Sequence, residues 1–344
     1  MRENSFLKWM SENTITRWCN DSALNEDIDN ALLNGAVGCT TNPPLTFEAL
    51  TVTPGHYEAE KKRLQHDMTG DDKVVALIGI VVRQIAKRLE PLFLKSKGLY
   101  GYVRSQVQPD KKDDPDAMLK MGITLSRFAP NIMVKIPGTE AGIYVLEELA
   151  ALGIPTNPTV CVSISQMKAA AEAYERGVDR AVKNNIKPAP SSSAIVLGRL
   201  QDYLSKLNGE RDTRLTFYEL ECAALAVAKK CCDIFAQHQY KQMVMPAAFR
   251  SARQVAQLAG ADAMMTIHPR IQEEIIEARL KHFPGIGEAV DEKAVAKVSS
   301  ALPEFNAAFE PDGLSPGQFS TFGAVEMTLD AFDRTGWAKL RALR

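Results

Sequence analysis

The sequence lacks what marks nucleic-acid, membrane-surface, metal-binding and disulfide-stapled proteins. Lysine and arginine total 41 against 42 aspartates and glutamates in 344 residues, so no charge excess draws in nucleic acid or an anionic membrane. Any charged ligand must therefore be held by individual residues. The cysteines, Cys19, Cys39, Cys161, Cys222, Cys231 and Cys232, show no Cys-x-x-Cys pair and no nearby histidine, which argues against a metal site or a disulfide framework. They read as small apolar fillers in a reducing compartment, and Cys231-Cys232 as core of an apolar helix. Met1-Arg2-Glu3-Asn4-Ser5 is not a basic segment followed by an apolar run, and no stretch approaches a membrane span, so the expectation is a cytoplasmic location. No Gly-x-Gly-x-x-Gly opens a helix after the first strand, which removes the main support for a dinucleotide fold. Low-complexity segments are also missing, and so is any repeat beyond a strand–helix period.

That period is what the chain does have. Residues 14–21 read as a first strand, with Asp21-Ser22 starting a helix through Leu24, Ile28 and Leu32-Leu33. Gly35 to Cys39 reads as a second strand, ending in Thr40-Thr41-Asn42-Pro43-Pro44, where Asn42 caps a helix with proline at its first position. From about 47 to 98 the pattern is helical, an insertion. Strands at 99–103, 131–137, 154–162, 193–196, 242–245 and 263–267 follow, with helical stretches after them. Eight such units in about 250 residues predict an α/β fold, a parallel (β/α)8 TIM barrel over about 14–283, rather than an open doubly wound sheet. A helical extension occupies about 284–344, and the whole chain reads as one TIM-barrel domain.

Barrels of this kind build their sites at the C-terminal ends of the strands. The polar residues there are Asp21, Thr40, Asn42, Gln106, Lys135, Asn157, Thr159, Arg199, Arg250 and His268. One carboxylate and one histidine are too few for a metal set. In Asn131-Ile-Met-Val-Lys-Ile-Pro-Gly138, alternation sends Ile132, Val134 and Ile136 to one face and Met133 with Lys135 to the other. A solvent-reaching lysine is the bland reading. Buried at a barrel mouth, a lysine with its pKa lowered by about 3 units is about one quarter neutral at pH 7, and a neutral amine attacks carbonyls to form a Schiff base. Asp21 is the carboxylate available as its proton acceptor; a plain N-cap is the alternative reading.

Three motifs carry a resemblance. Gly38-Cys-Thr-Thr-Asn-Pro43, Val134-Lys-Ile-Pro137 and Val244-Met-Pro-Ala-Ala-Phe-Arg250 resemble, in the same order, signatures of the transaldolase family. The resemblance runs from about Asp21 to His268. It implies a class I aldolase barrel with the Schiff-base lysine, Lys135, on the fourth strand. It further implies no cofactor, no metal, sugar phosphates as substrates, and transfer of a three-carbon dihydroxyacetone unit from a ketose phosphate to an aldose phosphate. A homodimer is implied at the same level. By the same resemblance Asp21 transfers protons, Thr40 and Asn42 contact the ketose, and Asn157 with Thr159 holds the intermediate and its water. Arg199 and Arg250 match phosphate-binding arginines, whose fork suits two phosphate oxygens.

Two positions depart from the pattern. Transaldolases carry glutamate where this chain has Gln106, an amide that orients water without taking its proton. Glutamine there resembles the related fructose-6-phosphate aldolases, but their tyrosine near the sixth strand falls on Val196. Ala248 stands where a serine usually precedes Phe-Arg, leaving Ser192, Ser193 or Ser251 to supply a phosphate contact. Three readings follow: a transaldolase, an aldolase releasing the three-carbon ketone, and a barrel that binds sugar phosphates without turning them over. His268 reads as a capping residue. The C-terminal helix, with Phe322, Phe332 and Trp337, reads as a cover for the mouth, a dimer surface or simple packing.

Overall fold

The structure, a computed structural model, describes residues 5–64 and 68–343. Met1 to Asn4, read above for a leader, and 65–67 within the insertion lie outside the described residues. Among the described residues there are eight strands: β1 (Arg17–Asn20), β2 (Gly38–Thr40), β3 (Tyr102–Gln106), β4 (Ile132–Pro137), β5 (Thr156–Thr159), β6 (Ser192–Ile195), β7 (Met243–Pro246) and β8 (Met264–Ile267). Six form a curled parallel sheet in the order β5-β4-β3-β2-β1-β8, and β6 pairs with β7. Parallel bridges Thr156–Ser191 and Cys161–Ile195 join β5 to β6, and Val244–Ala263 joins β7 to β8. The ring is therefore closed, as the strand count predicts, by continuous ladders on one side and single bridges on the other.

Alternation places the apolar half of each strand outward. Ile132, Val134 and Ile136 of β4 join Val145, Leu146 and Leu149 in one apolar cluster between strands and helices. The inward half is unusually polar: Arg104, Gln106, Lys135, Asn157, Ser192 and Thr266 are all buried among Met133, Met245 and Met264. Helix starts follow local chemistry. Asn42 caps Pro43–Val52, Asp114 caps Pro115–Ser126, Thr139 caps Glu140–Ala151 and Ser163 caps Ile164–Lys183.

Several boundaries differ from the sequence reading. The third strand begins at Tyr102, not Leu99, because a turn after helix Gly70–Lys95 takes up Leu99 and Tyr100; Tyr100 N donates to Ser96 Oγ at 2.9 Å. The second begins at Gly38, because the amides of Gly35 and Ala36 donate to Leu32 and Ala31 at the preceding helix end. That helix starts at Asn25, so Asp21 is not its cap. The helix Ser5–Asn13 has no counterpart in the sequence reading. It is too short to show a clear period, yet it buries Phe6, Leu7 and Met10.

The insertion contributes one long helix, Gly70–Lys95, which lays Val74, Leu77, Ile78, Val81, Val82 and Ile85 into the core. Asn131 pins it to the barrel, donating to the carbonyls of Ala86 and Gly101 at 2.8 Å each. The C-terminal stretch Gly323–Phe332 runs through a π-helical turn, Asp333–Trp337, into Ala338–Ala342. That turn presses on Pro43-Pro44 after β2: a Cβ on Gly336 would lie 2.3 Å from the Pro44 nitrogen. Trp337 Nε1 and Arg341 Nε donate to Asp71 Oδ1 at 2.8 and 3.0 Å, and Gln108 Nε2 donates to Asp71 Oδ2 at 3.1 Å. Trp337 and Phe322 are buried in the core, as simple packing predicts, while Phe332 also lines the cavity at the mouth. Among the described residues no helix is long and apolar enough to cross a membrane.

Candidate active site

Strand register assembles the deep part of the site. Gln106 of β3, Lys135 of β4 and Asn157 of β5 are direct neighbours across the ladder and share the inward face. The row beneath holds Thr40, Arg104 and Met133. Thr159 ends β5 opposite Pro137, on the inward face set by Asn157. Lys135 is 7% exposed, and its Nζ donates to the Thr41 carbonyl at 3.1 Å, leaning toward β2.

Asp21 lies one residue past β1, tied into the wall by its backbone N–H to Ile267 O at 3.1 Å. Thr40 Oγ1 donates to Asp21 Oδ1 at 2.6 Å and lies 2.5 Å from Thr266 Oγ1. The carboxylate is thus held toward the lysine row. Burial pushes Lys135 down from its ordinary 10.5 to about 8; Asp21 opposes the shift, and the Arg104 charge adds to it. The amine therefore supplies free base near neutral pH, and the carboxylate stands where a hydroxyl proton could be passed.

Two neighbours carry unused polar capacity. Neither Nε2 nor Oε1 of buried Gln106 has a partner, and Asn157 Oδ1 has none. Asn157 Nδ2 is spent on Ser192, donating to its carbonyl and to Oγ. Orphaned groups beside a reactive amine suit the hydroxyls of a polar substrate, or a water.

Above this row a cavity of about 430 Å³ opens, lined by Asp21, Asn42, Arg199, Arg250, His268 and Phe332 among others. Asn42 faces it as the helix cap expected, with Oδ1 accepting from Leu45 N at 2.9 Å. Arg199 sits in the first turn of helix Leu197–Arg211 rather than at a strand end. Its guanidinium carbon is 5.4 Å from the centre of the Phe332 ring. Arg250 grips Asp202, with Nε to Oδ1 at 2.8 Å and Nη2 to Oδ2, while Arg199 Nη1 lies 3.9 Å from the same carboxylate. Burial and then the adjacent Arg250 charge lower the Arg199 pKa, against Asp202. Two crowded guanidiniums sharing one carboxylate can accept a further anion.

His268 is exposed and caps helix Pro269–Ala278, Nδ1 accepting from Arg270 N at 3.2 Å. Ala248 lines the cavity, but Ser192, Ser193 and Ser251, the candidates for supplying a hydroxyl in its place, do not. Ser192 Oγ is inside the ring near Met133 Sδ, Ser193 Oγ donates to Met167 Sδ, and Ser251 Oγ donates to Glu221. Among the described residues no group of three or more His, Cys, Asp or Glu gathers as a metal site.

Sequence reasoning missed Arg104, Asp202 and Thr266. Strand parity makes Arg104 legible, two residues before Gln106, and helix spacing makes Asp202 legible, three after Arg199. Phe332, one of the aromatics of the C-terminal helix, lines the cavity.

Comparison with known proteins gives a consistent picture. The family model described as transaldolase/fructose-6-phosphate aldolase matches residues 18–311. A transaldolase of Thiobacillus denitrificans is 32% identical over 174 residues, 48% of this chain and 48% of that protein. Transaldolase 1 of Streptomyces avermitilis is 30% identical over 181 residues, 52% of this chain and 47% of that protein. A transaldolase of Kocuria rhizophila is 29% identical over 181 residues, with 52% and 48% covered. The chain spans about half the length of the curated relatives it matches.

Proposed function

The chain belongs to the transaldolase/fructose-6-phosphate aldolase family, and on that premise we propose that it transfers a three-carbon dihydroxyacetone unit between sugar phosphates through a Schiff base on Lys135. The observation that carries this reading is the buried amine itself, brought to about 8 and aligned with Gln106 and Asn157. Neutral Lys135 attacks the ketose carbonyl carbon, and uptake of one proton from solvent with loss of water leaves a protonated imine. Asp21 takes the proton from the hydroxyl next to the bond that breaks. The bond's electron pair moves into the imine, leaving a lysine-bound enamine and releasing an aldose phosphate. The enamine carbon then adds to an acceptor aldehyde, Asp21 returns the proton, and water frees the product from Lys135.

The remaining residues take supporting parts. Asn157 and Thr159 hold the intermediate and the water that forms and cleaves the imine, and Thr40 and Asn42 hold ketose hydroxyls. Arg199 and Arg250 take the phosphate at the outer end of the cavity, partly displacing their contact with Asp202.

Borohydride reduction with a ketose phosphate, followed by peptide mass spectrometry, tests the chemistry. An adduct on Lys135 is expected, and none in Lys135→Ala; no adduct in the wild type leaves only a binding barrel. Gln106 favours a second reading, release of the three-carbon ketone to water, because an amide orients water without holding a proton. Turnover of ketose phosphate with no acceptor aldehyde supports release; strict dependence on the acceptor supports transfer.

A further inference from the structure

Arg104 has no part in the steps above, yet it is a charged side chain sealed inside the barrel, 2% exposed. It leaves β3 on the inward face and crosses the ring. Nε and Nη2 reach Ser192 Oγ of β6 at 3.3 and 3.2 Å, Nη1 reaches Cys19 Sγ of β1 at 3.3 Å, and Nη2 reaches Met264 Sδ of β8 at 3.1 Å. The adjacent strand β2 leaves room for it: a Cβ on Gly38 would lie 3.3 Å from Nη1.

None of these partners is an anion. Burial holds the Cys19 thiol above its ordinary range, against the pull of Arg104, so it stays protonated near neutral pH. Among the described residues no carboxylate forms an ion pair with this guanidinium. Sulfur atoms are weak acceptors, and a buried charge without a counter-charge is costly. An apolar side chain would fill the space without that cost, so stability does not account for the arginine.

We propose that Arg104 is a positioning residue for the Lys135 chemistry, its fixed charge one row beneath the amine favouring the neutral nucleophile and sharpening the imine as an electron acceptor. The inference rests on the reading of Lys135 as the Schiff-base residue. The charged and titratable groups facing Lys135 are Asp21 beyond β1, Cys39 of β2 and Arg104 of β3, and the Cys39 thiol is pushed up by burial. Those facing Arg104 are Cys19, Cys39, Tyr102 and Lys135. From β5, β6 and β8 come uncharged Asn157, Ser192, Met264 and Thr266. Asp21 is thus the anion that opposes Arg104 at Lys135, and its charge is shared with Arg199. Rows two residues apart are about 7 Å apart along the backbone, and with the two side chains leaning apart to about 10 Å a unit charge at an effective dielectric of about 20 moves a protonation equilibrium roughly 15-fold.

The test titrates the Lys135 amine without any sugar, by competitive labelling with a small acylating reagent from pH 6 to 10.5 and mass spectrometry. Arg104→Met is expected to raise the labelling midpoint by at least about 1 unit, a tenfold loss of free amine at pH 7, while melting no lower than the wild type. Arg104→Lys, which keeps the charge, is expected to stay near the wild-type midpoint. The kcat/KM of Arg104→Met should fall by about tenfold at pH 7 and recover above pH 9. An unmoved midpoint, or an equal loss at every pH in both variants, overturns the proposal. If Arg104→Met does not fold, Arg104→Gln takes its place; failure of both to fold also overturns it, since the arginine would then be structural. Failure of borohydride trapping in the wild type overturns the Schiff base instead, and leaves the labelling midpoints readable.

Discussion

A lysine kept for chemistry should weaken the protein that carries it, and Lys135→Met measures by how much. The folded pKa of Lys135, about 8, lies below its ordinary 10.5. Between those values the unfolded chain binds more protons than the folded one, so the contribution of this group to stability rises with pH. Its penalty is fully present below pH 8 and fades as the pH approaches 10.5. The gap corresponds to about 3 kcal/mol at pH 7, by roughly 1.36 kcal/mol per unit. Methionine leaves the Thr41 carbonyl without the donor it has at 3.1 Å, which returns about 1 kcal/mol. Lys135→Met should therefore be more stable than the wild type by about 2 kcal/mol at pH 7, and the advantage should shrink by about 2 kcal/mol by pH 9.5. Urea unfolding of both proteins at the two pH values gives these differences from the midpoints at matched slopes. A variant less stable than the wild type at pH 7, or a difference that does not move with pH, would refute the reasoning.

Two further outcomes follow from the geometry. Gln106→Leu removes a buried amide with no partner, so unfolding should show stability unchanged or about 1 kcal/mol higher while turnover drops about 100-fold; a loss of stability would mean that the amide is structurally engaged. Gly336→Val drives a side chain into the Pro44 backbone, so the C-terminal turn should lift from the mouth. A loss of about 2–4 kcal/mol, faster proteolysis at the C-terminal end and a raised KM are expected, and an unchanged cleavage pattern would count against the cover.

Much of this site is legible in the sequence, because it depends on strand parity. One buried face of β4 requires Ile132, Val134 and Ile136 to point out, and a two-residue period then turns Lys135 in. The same parity brings Gln106 and Asn157 into its row. Boundaries are less legible where turns draw on side chains several residues away, as at Ser96 and Tyr100. Asp21 reads equally as a cap or a proton acceptor because a carboxylate before a helix looks the same locally in either role. The helix start at Asn25 removes the cap, and the hydrogen bond from Thr40, nineteen residues on, ties the carboxylate to the next strand.

The amino-acid sequence alone determined the order of strands and helices, the caps, and the side of each strand that faces inward. These follow from local periods and from the hydrogen-bonding reach of a few neighbouring residues. Only the tertiary structure decided that Arg104 meets sulfur and hydroxyl groups instead of a carboxylate, that Asp202 serves both Arg199 and Arg250, and that Phe332 lines the outer cavity beside Arg199. The physical reason is that charge balance and desolvation belong to a volume. Ring closure fills that volume from β1, β3, β6 and β8 together, so the environment of one lysine is set by residues that are distant along the chain.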